Sequence, residues 1–493
     1  MLNIIMADVH KLMIQCEGDV DSFQHPHCQH GPTLLFYYQD EGPEKGYFAC
    51  AAHRDKKSCN YMLRANELTA NKLNRHPEQP TDDYRAARKK FLNRPKGEQR
   101  HYCHSCNLPL LQAELQQHVG HDLVMNLSAK FMKDPTLFLR PLENDKVQAQ
   151  YFFDQKALTF FQKCFQEQKI TKVLCIGAPR LHAHLRSHCS GSIKSYLLDF
   201  DHRFYYFFKD KHFAWYNMCN NYLLDEEDSH FWRFLRMQDE NERFLLFTDP
   251  PFGCRTEPIA NTLHQITRIY NKMCKRPHHP LPIFWIFPYF SAHYIQQYMP
   301  ELLMCDYKVN YTNHSAYSDG IGARKQGSPA RIFTNIPLDR LKLPVTEEYK
   351  YCTQCQLYTA LENRHCDKCK ECPARNGSTY RHCDLCGLCV KPSYVHCQNC
   401  RRCTQLEGHN CGEYQLRQRC WICLQLGHIE RNCEAWQKYC KLHGHNGRSS
   451  EEQAVITCML CDKIGHNERR CKQRHKHLID TTFMGETQSV FKV

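Results

Sequence analysis

Residues 172–185 read KVLCIGAPRLHAHL and carry the local pattern that decides the fold. A short apolar run ends at Gly177, and Pro179 then opens a segment with helical spacing. An apolar strand, a tight turn and a helix in this order are typical of a βαβ unit, whose parallel strands are buried. The sequence therefore predicts an α/β domain built around this stretch.

Further apolar runs follow at intervals that leave room for crossover helices. They are SYLLDFD, FAWYNM, FLLFTDPPFG and IFWIFPYF, and the runs CDYKVNYTNH and ARIFTNI look like a closing antiparallel pair. This spacing predicts a doubly wound, Rossmann-like sheet between residues 126 and 345.

Three features fall where such a sheet binds its ligand, beyond the carboxyl ends of the strands. They are Gly177, the acidic strand end at Asp199, and the tetrapeptide 249–252. A dinucleotide fingerprint requires G-x-G-x-x-G, and Gly177 alone disfavours NAD and FAD. One glycine, followed after the second strand by an acid that can hold ribose hydroxyls, suits S-adenosylmethionine better.

The tetrapeptide Asp249-Pro250-Pro251-Phe252 ends the run FLLFT. It resembles the [DNS]-P-P-[FYW] motif of methyltransferases that act on adenine N6 and related amines. Such an amine needs acceptors as its nitrogen becomes tetrahedral, and the Asp249 side chain and the Pro250 carbonyl can supply them. The prolines fix that carbonyl in direction, and Phe252 offers a face for the flipped base.

The composition indicates metal binding outside the predicted α/β domain. The chain of 493 residues holds 32 cysteines and 31 histidines, which fits either a disulfide framework or zinc. Repeated C-x2-C pairs favour zinc in a reducing compartment. We find no signal peptide and no membrane-length apolar run, so we expect a soluble intracellular protein. A net charge of +13 suits a polyanionic partner such as nucleic acid.

Two CCHC zinc knuckles are predicted near the C-terminus. CWICLQLGHIERNC supplies Cys420, Cys423, His428 and Cys433, and CMLCDKIGHNERRC supplies Cys458, Cys461, His466 and Cys471. Knuckles mostly bind single-stranded nucleic acid, here with Trp421 as a stacking side chain. Either knuckle could instead only pack on its neighbours.

A denser array precedes them, built on the repeated unit H-C-x2-C-x2-C. Interleaved and sequential pairings of its ligands fit the spacing equally well. Metal binding should supply the folding free energy of so short a segment. The array resembles the CTCHY type of zinc finger and can hold up to four zinc ions through Cys352, Cys355, His365, Cys366, Cys369, Cys372, His382, Cys383, Cys386, Cys389, His396, Cys397, Cys400, Cys403, His409 and Cys411.

Two further sets lie near the N-terminus. The first looks like a GRF zinc finger and uses Cys28, His30, Cys50 and Cys59, with His25, His27 and His53 as nearby spares. A short basic linker, YRAARKKFLNRPKGEQR, leads to a C2H2 set formed by Cys103, Cys106, His118 and His121. All predicted ligands together would hold about eight zinc ions at four ligands each.

The order of these parts is similar to that of the zinc-finger CCHC-domain rRNA adenine-N6 methyltransferases. The resemblance rests on PHCQHGPTLLF, CNYML, CHSC, HVGH, VLCIGAPRLH, WYNM, TDPPFG, the cysteine array and a knuckle. It implies a class I S-adenosylmethionine methyltransferase that modifies an adenosine in large-subunit (28S) ribosomal RNA and acts in the nucleus and nucleolus, with the cytoplasm left open.

The resemblance also assigns the parts of the chain. Asp249, Pro250, Pro251 and Phe252 would be catalytic, and Gly177, Asp199, Asn217 and Asp249 would bind the cofactor. The second knuckle departs from the family pattern. The implied domains are a GRF-type finger at 20–65, a C2H2 finger at 98–125, the methyltransferase domain at 126–345, the CTCHY-like array at 350–412 and the two knuckles at 413–475.

In this interpretation the zinc domains select the RNA and the central domain performs the chemistry. Basic stretches such as RAARKK and ERRCKQRHK should add phosphate contacts, although each could equally be a solvated face. The main alternative is a non-catalytic zinc-finger RNA-binding protein with a degenerate methyltransferase fold. A ubiquitin-transfer partner and a DNA adenine methyltransferase are further alternatives.

Overall fold

The protein is described from a computed structural model. The structure describes residues 12–17, 24–39, 41–53, 58–69, 73, 82–141, 151–224, 229–237, 239–276, 278–313, 327–345, 348–398, 402–405, 409 and 434. These described residues divide into two compact units. The larger lies within residues 13–37 and 42–343, and the smaller lies within residues 1–12, 38–41 and 344–493.

An eight-stranded sheet forms the centre of the larger unit, which confirms the predicted α/β fold. In chain order its strands are β1 (Lys172–Ile176), β2 (Lys194–Asp199), β3 (Phe213–Asn217), β4 (Tyr222–Leu223), β5 (Phe244–Thr248), β6 (Ile283–Pro288), β7 (Leu303–Cys305) and β8 (Ala330–Thr334). Their spatial order is β4-β3-β2-β1-β5-β6-β8-β7.

The inner strands are parallel and the edges are antiparallel. Strand β1 pairs in parallel with both β2 and β5, so the strand order reverses on either side of β1. Strand β8 pairs antiparallel with β6, and β7 pairs antiparallel with β8, as the sequence predicted for a closing pair. Every residue of β1, β5 and β6 is buried, which explains why these strands are continuous apolar runs.

The closing pair differs from the prediction in position. The antiparallel strand begins at Leu303 and ends at Cys305, where the predicted run CDYKVNYTNH only begins. The rest of that run lies between two other segments. The Val309 amide donates to the Ala330 carbonyl, and Tyr311 forms a bridge with Phe153. Tertiary pairing therefore places Tyr311 beside the sheet.

The helices of the larger unit begin at identifiable signals. Asp154 caps the helix Gln155–Glu167 by accepting a bond of 2.7 Å from the Ala157 amide. Pro179 opens the next helix at its first position, where its fixed φ and missing N–H cost nothing. That helix is Pro179–His188, and the other described α-helices are Asp82–Leu92, Ala129–Lys133, Ser229–Leu235, Thr256–Met273 and Ala292–Tyr298. Among the described residues no helix is long and apolar enough to cross a membrane.

Small sheets carry the zinc-ligand residues. The N-terminal segment has strands Leu12–Gln15, His27–Cys28, Gly31–Pro32, Leu34–Tyr38, Tyr47–Ala49 and Met62–Arg64, and the next segment has Arg100–Cys103, Leu108–Leu111 and Leu123–Val124. The described part of the smaller unit contains three hairpins, formed by Tyr349–Cys352 with Leu357–Ala360, Arg381–Cys383 with Leu388–Val390, and Tyr394–Cys397 with Arg402–Gln405.

The first half of the predicted basic linker is helical, and one of its cations is buried. Arg88 in the helix Asp82–Leu92 is 8% exposed, pairs with Asp210 and donates to the Phe208 carbonyl at 2.9 Å. A buried, paired guanidinium cannot bind phosphate, so Arg88 anchors the helix instead. Lys89 and Lys90 remain exposed. The stretch ERRCKQRHK lies outside the described residues.

Candidate active site

The carboxyl ends of four neighbouring strands meet at one edge of the sheet. The last residue of β1, Ile176, is in register with Leu198 of β2 and with Thr248 of β5. A cleft opens beyond these ends, as the topology rule predicts. Its lining includes all of the residues that the sequence assigned to catalysis and cofactor binding: Gly177, Asp199, Asn217, Asp249, Pro250, Pro251 and Phe252.

The turn after β1 requires its single glycine. Gly177 has a φ of +65°, and its amide donates to the Leu198 carbonyl at 2.8 Å. A Cβ at this position would lie 2.6 Å from Cε of Met218 and 3.2 Å from the Asp249 carbonyl oxygen. Any side chain would therefore be strained and would push into the cleft.

Asp249 is held from both its main chain and its side chain. Its amide donates to the Ile176 carbonyl at 3.1 Å, and its Oδ1 accepts from the Tyr311 hydroxyl at 3.0 Å. Burial raises the pKa of the Asp249 carboxyl well above its usual range, and the Tyr311 hydrogen bond offsets part of that rise. The second carboxyl oxygen can serve as an acceptor for a ligand in the cleft.

Aromatic rings surround this carboxyl group. The Phe252 ring centroid lies 5.9 Å from that of Tyr151 and 6.1 Å from that of Tyr311, and the Tyr151 and Tyr311 centroids lie 5.6 Å apart. Tyr151 and Phe252 both line the cleft. A flat heteroaromatic ligand could therefore stack here while Asp249 binds its edge.

Asp199 lies in the same cleft and is 6% exposed. Burial and the nearby Asp201 raise the pKa of Asp199 to about 8. Burial also acts to raise the pKa of Asp201, but the charge of Arg203 outweighs it and the pKa is lowered. Arg203 Nη2 lies 2.7 Å from Asp201 Oδ2 and both side chains are 1% exposed, so Asp201 remains ionised beside Asp199.

The cleft fits an adenosyl cofactor. The cleft and the open space at its mouth together measure about 740 Å³, and a side chain at Gly177 would narrow the cleft. The Asp199 carboxyl is an acceptor for hydroxyl groups, and the Asn217 side chain is fixed nearby by accepting from the Cys219 amide at 3.0 Å. Acceptors beside a side-chain-free turn suit a nucleoside with its ribose.

Two residues of this site, Tyr311 and Tyr151, were not predicted from the sequence. Tyr311 is fully buried and reaches Asp249 from a segment 62 positions further along the chain. Tyr151 lies shortly before the helix Gln155–Glu167. Neither tyrosine is near the tetrapeptide 249–252 in the sequence, so no local signal marked them, and their approach depends on tertiary pairing.

Two groups of predicted zinc ligands come together within the larger unit. Sulfur and imidazole ligands of a tetrahedral zinc lie about 3.3–3.8 Å apart, given Zn–S and Zn–N bonds of about 2.3 and 2.0–2.1 Å. In the first group His30 Nδ1 is 3.4 Å from Cys50 Sγ, and in the second His121 Nδ1 is 3.3 Å from Cys106 Sγ. The ligand atoms within each group lie within 4.8 Å of one another, and the groups are Cys28, His30, Cys50 and Cys59, then Cys103, Cys106, His118 and His121.

The array in the smaller unit adopts the interleaved pairing. The middle repeat, residues 382–389, gives its first and last ligands to one group and its central pair to the next. Its Cys389 Sγ lies 3.7 Å from Cys369 Sγ, whereas its Cys386 Sγ lies 3.7 Å from Cys403 Sγ. The three groups are Cys352, Cys355, His365 and Cys372; Cys366, Cys369, His382 and Cys389; and Cys383, Cys386, His396 and Cys403.

The other predicted ligands belong to no group among the described residues. Cys397 and His409 are described, but Cys400 and Cys411, predicted in the same part of the array, are not. Both predicted knuckles also lie outside the described residues, namely Cys420, Cys423, His428 and Cys433, and Cys458, Cys461, His466 and Cys471.

Comparison with known proteins agrees with the site. Residues 144–325 match the family model described as probable N6-adenine methyltransferase. A human protein named rRNA N(6)-adenosine-methyltransferase ZCCHC4 is 38% identical over 83% of this chain and 82% of its own length. Proteins of the same name from Mus musculus and Xenopus laevis are 37% and 38% identical over 69% of this chain and over 70% and 72% of their own lengths.

The family model spans Gly177, Asp199, Asn217 and the tetrapeptide 249–252. The chain is therefore an S-adenosylmethionine-dependent N6-adenine methyltransferase and belongs to the family of rRNA N(6)-adenosine-methyltransferases that these relatives represent.

Proposed function

We propose that this chain transfers a methyl group from S-adenosylmethionine to the N6 amine of an adenosine in large-subunit (28S) ribosomal RNA. The observation that carries the proposal is the common cleft, in which the Asp249-Pro250-Pro251-Phe252 tetrapeptide stands beside Gly177, Asp199 and Asn217. The relatives' name supports ribosomal RNA as the substrate. The sequence resemblance points to the 28S molecule.

The chain's own residues would bind and orient the adenine. Phe252 and Tyr151 offer ring faces for the flipped base, at centroids 5.9 Å apart. The Asp249 carboxyl and the Pro250 carbonyl would accept hydrogen bonds from the two N–H groups of the amine while its nitrogen becomes tetrahedral. The methylated nitrogen loses its surplus proton readily, so the site needs acceptors and no strong base.

The cofactor would lie on the other side of the cleft. When bound, S-adenosylmethionine supplies an electrophilic methyl group on a sulfonium. Asp199 would accept from its ribose hydroxyls, and the Gly177 turn would leave room for its close approach to the main chain. Asn217 would provide a further fixed polar contact. These residues would bind and orient the cofactor so that its methyl group lies in line with the adenine N6.

The zinc segments would select the RNA. We propose that the five ligand groups and the two predicted knuckles hold structural zinc, about eight ions with the remaining array ligands. Each group has four protein ligands, so none leaves an open position for catalysis.

We also propose a nucleolar and nuclear location and a role in ribosome biogenesis and translation. Imaging of the tagged chain with a nucleolar marker would test the location.

The test is methylation of a 28S transcript by the purified chain, with methyladenosine mapped in ribosomal RNA from cells that lack it. Asp249→Ala should abolish transfer, and its RNA affinity should stay near that of the parent because the side chain touches only the target base. Matched DNA and an unrelated RNA serve as controls. Equal turnover by Asp249→Ala would refute the role of Asp249 in the transfer. An inert parent chain that still binds RNA would favour the non-catalytic alternative.

A further inference from the structure

The N-terminal zinc-ligand segment packs directly on the cofactor side of the cleft. A small buried cluster of Cys28, Cys50 and Ala52 contacts Phe200, the residue that follows β2 and Asp199. The rings of His30 and His53 lie 6.0 and 5.8 Å from the Phe200 ring. Ala52 and Phe200 both line the cleft. This segment therefore forms part of the cleft itself.

Hydrogen bonds connect the same segment to a predicted cofactor residue. The Asn217 and Asn220 side-chain amides each donate to the His30 carbonyl at 3.1 Å, and Asn220 also donates to the Pro32 carbonyl at 2.7 Å. Asn217 is 2% exposed. Its position thus depends on a carbonyl that belongs to a zinc-ligand residue.

The position of that carbonyl depends in turn on the metal. His30 stands between ligand Cys28 and Gly31, whose φ is +93° and which lies against the Tyr222 ring. The cluster beside this turn has three buried residues, Cys28, Cys50 and Ala52, and two of them are predicted zinc ligands. Its other contacts are Cys59, Tyr61 and Phe200, so bound metal should supply much of the free energy that fixes the turn. Without metal the His30 and Pro32 carbonyls would lose their fixed positions.

We propose that the Cys28, His30, Cys50 and Cys59 zinc site is a positioning element of the cofactor site, acting through Asn220 and Asn217 on the affinity for S-adenosylmethionine. The inference rests on the cofactor site proposed above. It adds a second role to a segment otherwise expected only to bind RNA. Asn220 is a positioning residue, since it is not among the residues that line the cleft.

The test breaks the contact and leaves the metal ligands intact. Asn220→Asp replaces the donor amide by an oxygen that faces two carbonyls, and the full chain is titrated calorimetrically with S-adenosylmethionine. We expect affinity about tenfold weaker, the effect of losing one or two net hydrogen bonds. The zinc content, measured by mass spectrometry, should equal that of the parent. The KM for the cofactor should rise while kcat and the KM for RNA stay near parental values.

A matched control is Asn271→Asp. Asn271 also donates to one backbone carbonyl, that of His279 at 2.9 Å, but it lies 15 residues along the helix that begins at Thr256, about 22 Å from its start. This variant should bind the cofactor as the parent does. An Asn271→Asp loss equal to that of Asn220→Asp would overturn the inference, because both would then reflect general destabilisation.

A second variant approaches the contact from the zinc segment and covers the case in which Asn220→Asp fails to fold. In Gly31→Ala the new methyl group would meet the Tyr222 ring at a φ that disfavours side chains. The cofactor affinity should again fall at unchanged zinc content. Parental affinity in both variants would overturn this inference alone, whereas a parent chain that binds no S-adenosylmethionine would overturn the proposed cofactor site.

Discussion

Asp249 and Asp199 are carboxyl groups of one cleft with different surroundings. Asp249 lies among aromatic rings and has the Tyr311 hydroxyl as a partner, whereas Asp199 is buried beside the ionised Asp201. Both have a raised pKa, mainly because burial disfavours charge. A polar ligand that donates hydrogen bonds compensates for the lost hydration of the carboxylate that it contacts. Each carboxyl group should therefore couple its ligand to pH.

Tyr311→Phe should impair catalysis without removing the acceptor. The lost hydroxyl no longer orients Asp249 or stabilises its charge, so kcat should fall about tenfold, as for one hydrogen bond to a charged group. The Asp249 pKa would rise further, because the hydrogen bond had lowered it. The rise of kcat with pH should therefore begin at a higher pH in Tyr311→Phe than in the parent. A pH profile of kcat measures this shift.

The matched control for this substitution is Tyr196→Phe. Tyr196 is equally buried and donates to the Asp210 carbonyl at 2.8 Å, but it does not line the cleft. Its pH profile should match that of the parent. A Tyr311→Phe profile superimposable on the parental one would contradict an orienting role for the tyrosine.

Cofactor affinity should increase with pH until about pH 8, where Asp199 titrates. Ribose hydroxyls bind the ionised carboxyl better than the neutral one, so below that pH binding releases a proton and tightens by up to about tenfold per pH unit. The folding stability of the chain without cofactor has the opposite pH dependence. Because the folded pKa lies above the unfolded value, Asp199 contributes less stability as pH rises from about 4 to 8.

Calorimetry in buffers of different ionisation enthalpy would count the protons released. Asp199→Asn should remove the part of the pH dependence of cofactor affinity that the carboxyl group causes. The part that the cofactor's own amine causes should remain. If the parent and Asp199→Asn had the same slope, the carboxyl group would not be the titrating contact.

At the scale of elements, neighbouring ligand groups of the array share a sequence repeat. The repeat at residues 382–389 supplies His382 and Cys389 to one ligand group and Cys383 and Cys386 to the next. Metal bound in these groups would therefore tie two hairpins and their turns to each other. A defect in one group should weaken its neighbour, because the same short strands hold both.

Cys386→Ser should accordingly cost more than one zinc ion under mild chelation. The affected group loses a ligand, and the loosened repeat then holds His382 and Cys389 less well in the preceding group. Native mass spectrometry during a chelator titration would count the ions. In the control Cys106→Ser the group shares no repeat with another, so one ion should be lost. Loss of a single ion from both variants would contradict coupling within the array.

At the scale of the whole molecule, the sequence predicted what repeats or follows a topological rule. Buried strands read as continuous apolar runs, and the rule for parallel sheets placed Gly177, Asp199 and the tetrapeptide 249–252 at one edge. It could not predict Tyr311, whose approach depends on pairing of distant segments. Nor could it predict the pairing in the array, since both schemes share the same spacing. The His30 contact uses a backbone carbonyl, which leaves no signature in the residue type.

The predicted knuckles should affect RNA binding and leave the cofactor site alone. A net charge of +13 gives the whole chain a salt-dependent attraction to RNA, whereas a knuckle adds stacking of individual bases. Cys420→Ser removes one ligand of the first knuckle and should weaken RNA affinity about tenfold, within the range for one stacked base. Affinity for S-adenosylmethionine should be unchanged.

Fluorescence anisotropy with a 28S fragment at several salt concentrations would separate the two contributions. The salt dependence should persist in Cys420→Ser, because the substitution leaves every Lys and Arg in place. Cys458→Ser tests the second knuckle in the same way, and the double variant tests whether one knuckle replaces the other. If the double variant bound RNA as tightly as the parent, packing would be the role of both knuckles, and RNA selection would rest on the segments before residue 413.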